Sequence, residues 1–562
     1  MIMGSVAQLL ADSLEAHGID QVFCVPGESY IGLTSALVER EKVRIIVCRH
    51  EAGAAFMATA DGRLQNRAGV VLVSRGPGLA NGLVAIHSAY HDATPLVVII
   101  GQVERADFGR LALQEQNYSL LLADITKSVI EVNQPEMASE AIARAFHIAE
   151  SSTQGPVAVV IPEDLFDEET HAPVIMPAPK LSSSPRQEDL DKLAEMISRA
   201  ERPLILVGGA LLAESLDNAD VLSDLNTLSE SWVLPISPTH RRPQLFDSKH
   251  PNYGGYMGIR VPSSLLDHMK KTDLMVVLGE RMTDTVSQSY KFPLAPTPQF
   301  FMVHIWPDAD EIGRVWHPNL GIPASPHNVI KGLLHKSIPK DIDKRKNWVE
   351  TLNKEHKKLL SKEWNPTSDG VNFAAVVCEV DKYLEKDATI TSDAGNFGSF
   401  IHRYIGFGQK HVFLSSVVGA MGSGMPMAVA AGLRRPGTQT VCFIGDGGIL
   451  MMGNEIATAV QYGVNPIIII ADNSMYGTIG MHSYVRYPDK PFMQGTKLTN
   501  PDFAAWARSF GAEGITIQTE ADVSEAIDKA FSIRVKPVVV HCHTSAVQMS
   551  AWRKYERSET LK

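Results

Sequence analysis

Apolar residues recur along this chain in short unbroken runs, each bounded by Gly, Pro, Asn or Asp. QVFCVPG, VRIIVC, GVVLVS and PLVVIIGQV follow one another, and GPVAVVIPEDL closes the group near residue 166. Runs this short and this apolar predict strands buried on both faces. Between them lie stretches with helical spacing, such as HEAGAAFMATADGRLQ. Alternation of strand and helix predicts a parallel sheet covered by helices on both sides. The same pattern returns in a middle block (RPLILVGG, DLMVVLGERM, QFFMVHIWPD). It returns again in a third (TITSDAG, TVCFIGDG, NPIIIIADN, KPVVVHCHT). A Pro- and Ser-rich stretch, HAPVIMPAPKLSSSPRQED, separates the first two blocks. A highly charged segment over residues 339–370 predicts a surface helix leading to the third. The fold expected is α/β: three doubly wound parallel-sheet domains over residues 1–175, 188–340 and 365–562. The first and third share a coarse architecture.

Composition narrows the function classes. A chain of 562 residues exceeds what one core usually organises. Its 44% hydrophobic and 20% charged content is that of a globular protein. A net charge of -11 disfavours nucleic acid as the main partner, because phosphate binding needs a basic surface. The five cysteines are scattered with no CxxC pair, which argues for buried free thiols in a reducing compartment rather than a zinc cluster. No apolar run approaches the length of a membrane span, and the first residues lack a basic leader. A cytoplasmic protein without a membrane partner is expected.

Candidate chemistry concentrates in GDGGILMMGNEIATAVQYGVNPIIIIADN, residues 445–473. A strand stops at Gly445-Asp446-Gly447-Gly448, a helical pattern follows, and a second buried strand ends on Asp472-Asn473. A right-handed crossover puts both strand ends on one edge of the sheet, where ligands of open parallel sheets bind. Asp446 and Asn473 then converge. One carboxylate and one amide oxygen make a hard ligand set suited to Mg²⁺ holding phosphate oxygens. The helix start adds backbone amides for an anion. Asp446 alone would equally serve as a helix cap; the whole strand–GDG–helix–strand–Asn pattern points to a Mg-bound diphosphate. A P-loop signature is missing.

This pattern resembles the thiamine-diphosphate motif, and ADNSMYGTIG resembles that family's NNxxYGTI segment, with Asp472 in place of the first Asn. The resemblance implies metal binding by Asp446, Asn473 and the carbonyl of Met475, with Tyr476 and Gly477 beside the cofactor. CRHEAGAAFMATADGRL resembles the region of the activating glutamate, here Glu51. Such a carboxylic acid, bonded to the aminopyrimidine, favours the tautomer that removes the thiazolium proton. SSVVGAMGSGMPMAVAAG implies that Met421 wedges between the cofactor rings while the Gly419 carbonyl accepts from the pyrimidine amine. TSDAGNFGSF implies a diphosphate loop with Gly395, Asn396 and Phe397.

The first block, with VSRGPGLANGLVAIHSAYHDATPLVVIIGQV and LALQEQNY, is similar to acetohydroxyacid synthases. That similarity places Gln114 near the substrate and implies a site shared between two chains, hence a dimer or tetramer. Arg75 stands where those enzymes have a small hydroxyl residue and is a candidate for a substrate carboxylate, with a solvent-exposed turn residue as the alternative. His482 takes the place of their acceptor-selecting Trp. FCVPGESY resembles the VPGD segment of pyruvate decarboxylases and makes Glu28 a candidate acid. GERMTDTVSQ resembles a flavin-contacting loop, with Thr283 and Thr285 departing from it, so FAD stays open. The function expected is Mg²⁺- and thiamine-diphosphate-dependent decarboxylation of a small 2-oxo acid with carboligation. A simple decarboxylase is the alternative. Outside the class stand a noncatalytic scaffold and a dinucleotide-binding protein, although GAMGSG does not fit the dinucleotide fingerprint.

Overall fold

The computed structural model describes residues 4–338, 341–489 and 493–555. The C-terminal segment expected to shape the substrate pocket is therefore described as far as Tyr555; residues 556–562, like 1–3 of the N-terminal stretch and 339–340 of the charged segment, lie outside the described residues.

Three parallel sheets carry the chain. The first holds β1 (Gln21–Cys24), β2 (Arg44–Val47), β3 (Gly69–Ser74), β4 (Leu96–Gln102), β5 (Ser128–Glu131) and β6 (Pro156–Pro162), in the order β2-β1-β3-β4-β6-β5. The second holds β7 (Pro203–Val207), β8 (Ile236–Pro238), β9 (Leu274–Leu278), β10 (Phe301–Trp306) and β11 (Leu320–Pro323), ordered β8-β7-β9-β10-β11. The third holds β12 (Thr389–Ser392), β13 (Val412–Leu414), β14 (Thr440–Gly445), β15 (Ile467–Asp472), β16 (Glu513–Ile517) and β17 (Val538–His543), ordered β13-β12-β14-β15-β17-β16. The first and third orders are the same permutation, so their shared architecture extends to topology. Each sheet has helices on both faces, as a doubly wound fold requires.

The helices that matter for the site are α1 (Glu51–Gln65), α2 (Arg75–His91), α3 (Gly209–Asp217), α4 (Lys346–Leu359), α5 (Gly424–Arg434), α6 (Asp446–Met452) and α7 (Gly477–Arg486). The expected surface helix of the charged segment is α4. The long helical pattern after GDG is broken: α6 ends at Met452 and a separate helix runs Ile456–Gln461.

The four isoleucines of β15 (Ile467 to Ile470) are 0–3% exposed. Each buried Ile contributes about 1.5–3 kcal/mol, which pins the strand that ends at Asn473. The first and third domains dock through α1 and α5. Arg434 pairs with Asp61 at 2.6 Å and with Asp20 at 2.7 Å. Glu455, buried between them, accepts the backbone N–H groups of Arg49 at 3.0 Å and His50 at 3.1 Å. Gly53 is needed there: a Cβ would lie 2.2 Å from the Glu455 carboxylate.

Candidate active site

The C-terminal ends of β14 and β15 are neighbours, with Gly445 in register with Ala471. Beyond them opens a cavity of about 240 Å³. Its lining includes Asp446 and Asn473, as their positions at adjacent strand ends predict. Gly395, Asn396 and Phe397 enter from the loop after β12. Gly419 and Met421 enter from the loop before α5, and Tyr476 and Gly477 from the start of α7. Gly445, Gly447 and Gly448 complete the floor.

The glycines answer to local crowding. A Cβ at Gly448 would lie 2.1 Å from the Asp393 carboxylate, and one at Gly447 would lie 2.5 Å from the Tyr476 ring. Gly419 has φ +70 and Gly395 φ +153, both in the region that favours glycine. Asp393 is fully buried and accepts from Gly422 N at 2.8 Å and Ser423 N at 3.1 Å. Burial pushes its carboxyl up to about 6 against the pull of these bonds. It ties the loop carrying Met421 to the loop carrying Asn396.

Asp446 is 4% exposed. Its Oδ1 accepts from Gly447 N at 2.9 Å, and its Oδ2 from Met475 N at 3.1 Å and Asn500 Nδ2 at 2.9 Å. Burial raises its carboxyl to about 7; Asn500 opposes the rise and the charge of Asp472 adds to it. A buried carboxylate that is costly to ionise fits a site completed by a cation. The Met475 carbonyl accepts from Gly477 N at 2.8 Å and keeps a second lone pair. Hard oxygen donors at a helix start fit Mg²⁺ with phosphate.

Asp472 sits behind this clamp. It accepts from Ser474 N and from Asn500 Nδ2, each at 2.8 Å, and lies 2.8 Å from Nε2 of His541. Burial pushes it up, but His541, Ser474 and Asn500 outweigh that and hold it at about 2. The amide of Asn500 thus bridges two carboxylates and relieves their repulsion. Asn500, Asp393 and His541 were not legible from the sequence.

The other predicted residues lie apart. The lining of this cavity contains none of Glu51, Glu28, Gln114, Arg75 or His482. Glu51 opens α1, where His50 accepts from Ala52 N at 3.1 Å through its Nδ1; Glu51 Oε2 accepts from Asn81 Nδ2 at 2.9 Å. Gln114 lies on an exposed loop with φ +66, its carbonyl accepting from Gly76 N at 3.2 Å.

Arg75 corrects the expectation of a solvent-exposed turn residue. It is 7% exposed, not a solvent-exposed turn, and its guanidinium pairs with Glu28 at 3.2 Å and Glu163 at 2.5 Å. Its Nη1 and Nη2 thus each face a carboxylate, while the buried Nε has no hydrogen-bond partner among the described residues. Glu28 is correspondingly an ion-pair partner.

In the central domain, the strand order reverses between β7 and β9, where a nucleotide cofactor would sit. That crevice holds only about 20 Å³. Glu280, at the end of β9, folds over the start of α3: a Cβ on Gly208 would lie 2.5 Å from its carboxylate. Glu280 accepts from the hydroxyl of Thr239. Arg281 pairs with Glu311 at 2.8 Å and donates to the carbonyl of Tyr90 at 3.1 Å.

Comparison with known proteins gives the class. Three family models match in sequence: the thiamine pyrophosphate enzyme N-terminal TPP binding domain over residues 4–121, the central domain over 190–333 and the C-terminal TPP binding domain over 393–542. The chain belongs to the thiamine pyrophosphate enzyme family. Within it, the chain is similar to acetolactate synthases. It is 29% identical over 541 residues to the probable acetolactate synthase large subunit of Methanocaldococcus jannaschii, covering 93% of this chain and 89% of that one. It is 28% identical over 549 residues to the acetolactate synthase isozyme 1 large subunit of Escherichia coli, covering 96% and 94%. Among the described residues no helix is long and apolar enough to cross a membrane.

Proposed function

We propose that the protein decarboxylates a 2-oxo acid with thiamine diphosphate and Mg²⁺ and joins the remaining acyl unit to a second carbonyl compound. The observation that carries this is the buried Asp446 at the helix start beside Asn473, in a cavity walled by Met421. Asp446, Asn473 and the Met475 carbonyl would hold Mg²⁺, and the α6 amides the diphosphate. The bound cofactor supplies a carbon nucleophile and an electron sink. Met421 would hold its rings in a bent arrangement, and Glu51 would bond the aminopyrimidine and pass a proton there.

Glu51 does not line the cavity of its own chain, so the reading requires Glu51 of a second copy. Exposed apolar side chains around the two half-sites support such an interface. Leu450 and Met451 of α6 are 50% and 43% exposed, Ile479 of α7 is 55%, and Leu111 beside Gln114 is 95%. The relatives' names as acetolactate synthases support carboligation rather than decarboxylation alone.

The direct test offers a panel of 2-oxo acids to the protein with Mg²⁺ and thiamine diphosphate, following CO₂ and ligated product. Both are expected. CO₂ without ligation would replace this reading by a simple decarboxylase, and neither product from any acid would sink it.

FAD forms no part of the proposal. The Glu280 carboxylate lies over the start of α3, and the crevice there holds only about 20 Å³. The purified protein is expected to show no flavin absorbance near 450 nm and no gain in activity with added FAD. A stoichiometric flavin spectrum would show that Glu280 swings aside.

A further inference from the structure

Arg260 lies in the loop after β8, exposed and with φ +54. Its guanidinium reaches the helix that starts at the cavity. Nη2 is 3.3 Å from Nδ1 of His482, and Nη1 is 3.8 Å from the sulfur of Met481. The same sulfur takes Asn396 Nδ2 at 3.6 Å, and Asn396 lines the cavity. Arg260 therefore stands one side chain away from the cavity wall. Because Arg260 donates to Nδ1, His482 is neutral there and keeps Nε2–H as a further donor.

The charge balance at this point is one-sided. After burial, the influence on Arg260 is the positive charge of Arg553. Burial first, then Arg260 and Arg553, push His482 below its ordinary range. Among the described residues, neither arginine has a carboxylate within ion-pair distance, whereas Arg75, Arg281 and Arg434 are all paired. A guanidinium without a carboxylate partner among the described residues binds an anion well, because its planar donors match carboxylate, sulfonate and phosphonate oxygens.

We propose that Arg260, with His482, forms a subsite for a second anionic group on the substrate, distal to its 2-oxo acid function. This rests on the decarboxylation reading above. The preferred substrates are then dianions, such as 2-oxo acids ending in a carboxylate, sulfonate or phosphonate. The central domain contributes specificity through Arg260, at the place where His482 stands for an acceptor-selecting Trp.

The test compares the wild type with Arg260→Leu and Arg260→Lys, each loaded with Mg²⁺ and thiamine diphosphate. CO₂ release from 2-oxoglutarate and 3-phosphonopyruvate is set against release from pyruvate and 2-oxobutyrate. At least one dianion is expected to be preferred by the wild type. Arg260→Leu should lower the ratio of dianion to monoanion kcat/KM by about 10- to 100-fold, mostly through KM, the size of a lost charge-assisted hydrogen bond. Arg260→Lys should recover part of it. A wild type that prefers every monoanion, or a ratio that does not move in the Leu variant, overturns the subsite.

A binding arm reads the subsite without turnover. Calorimetric titration with the unreactive dianion glutarate and the monoanion butyrate is expected to show glutarate binding tighter, with the difference lost in Arg260→Leu. Equal binding of both overturns the proposal. Absence of CO₂ from every acid, with glutarate still selected through Arg260, would instead remove the decarboxylation reading alone.

Discussion

Glu51→Gln is expected to lower CO₂ release by about 100- to 10,000-fold, the range for losing a positioned acid–base group. The substitution is nearly isosteric. The side chain opens α1, held by the His50 cap and by the docking of Arg49 and His50 onto Glu455. Gln keeps an oxygen for the Asn81 amide, now 2.9 Å from Glu51, so the local fold survives. What it loses is the ability to pass a proton. Binding of thiamine diphosphate, followed by quenching of protein fluorescence, should change far less than turnover. Unchanged turnover on an accepted 2-oxo acid would remove Glu51 from the mechanism.

Asp446→Ala should abolish retention of the cofactor, weakening Mg²⁺-dependent binding of thiamine diphosphate by about 100-fold or more, since it removes a ligand outright. The readout is thermal. Ligands that bind only the native state raise the melting temperature, so Mg²⁺ with thiamine diphosphate should stabilise the wild type and leave the variant's melting temperature unmoved. The ligand-free variant should fold, because it deletes a carboxylate whose burial already raises its pKa to about 7. A variant stabilised by the cofactor as strongly as the wild type would show that the metal is held elsewhere.

The strands predicted from apolar runs are present in all three sheets. Within these sheets, those that escaped notice are Ser128–Glu131, Ile236–Pro238, Leu320–Pro323, Val412–Leu414 and Glu513–Ile517. All five are edge strands. Each is only three to five residues long, too short for a run or an alternation to stand out from the surrounding chain. The helix after GDG was read too long because its apolar spacing continues across Gly453, where the backbone turns.

The cofactor half-site was legible because it is local. Asp446 and Asn473 terminate adjacent strands of one crossover unit, and the loops carrying Gly395 and Met421 hold short motifs of their own. Asn500 and His541 were not, since they reach Asp472 from distant segments through single side-chain contacts. The burial of Arg75 was missed for the same reason: Glu163, its stronger partner, is 88 residues away in sequence.

The chain's own order of residues thus determines three parallel sheets, the strand ends that form a clamp, and the class of ligand that a buried carboxylate at a helix start accepts. Tertiary structure decides the rest. It pairs Arg75 with two acids, closes the central crevice with Glu280, brings Arg260 to His482, and leaves Glu51 outside its own cavity. Backbone periodicity and turn chemistry are written in neighbouring residues, whereas charge pairing and exposure depend on which distant side chains arrive at the same point.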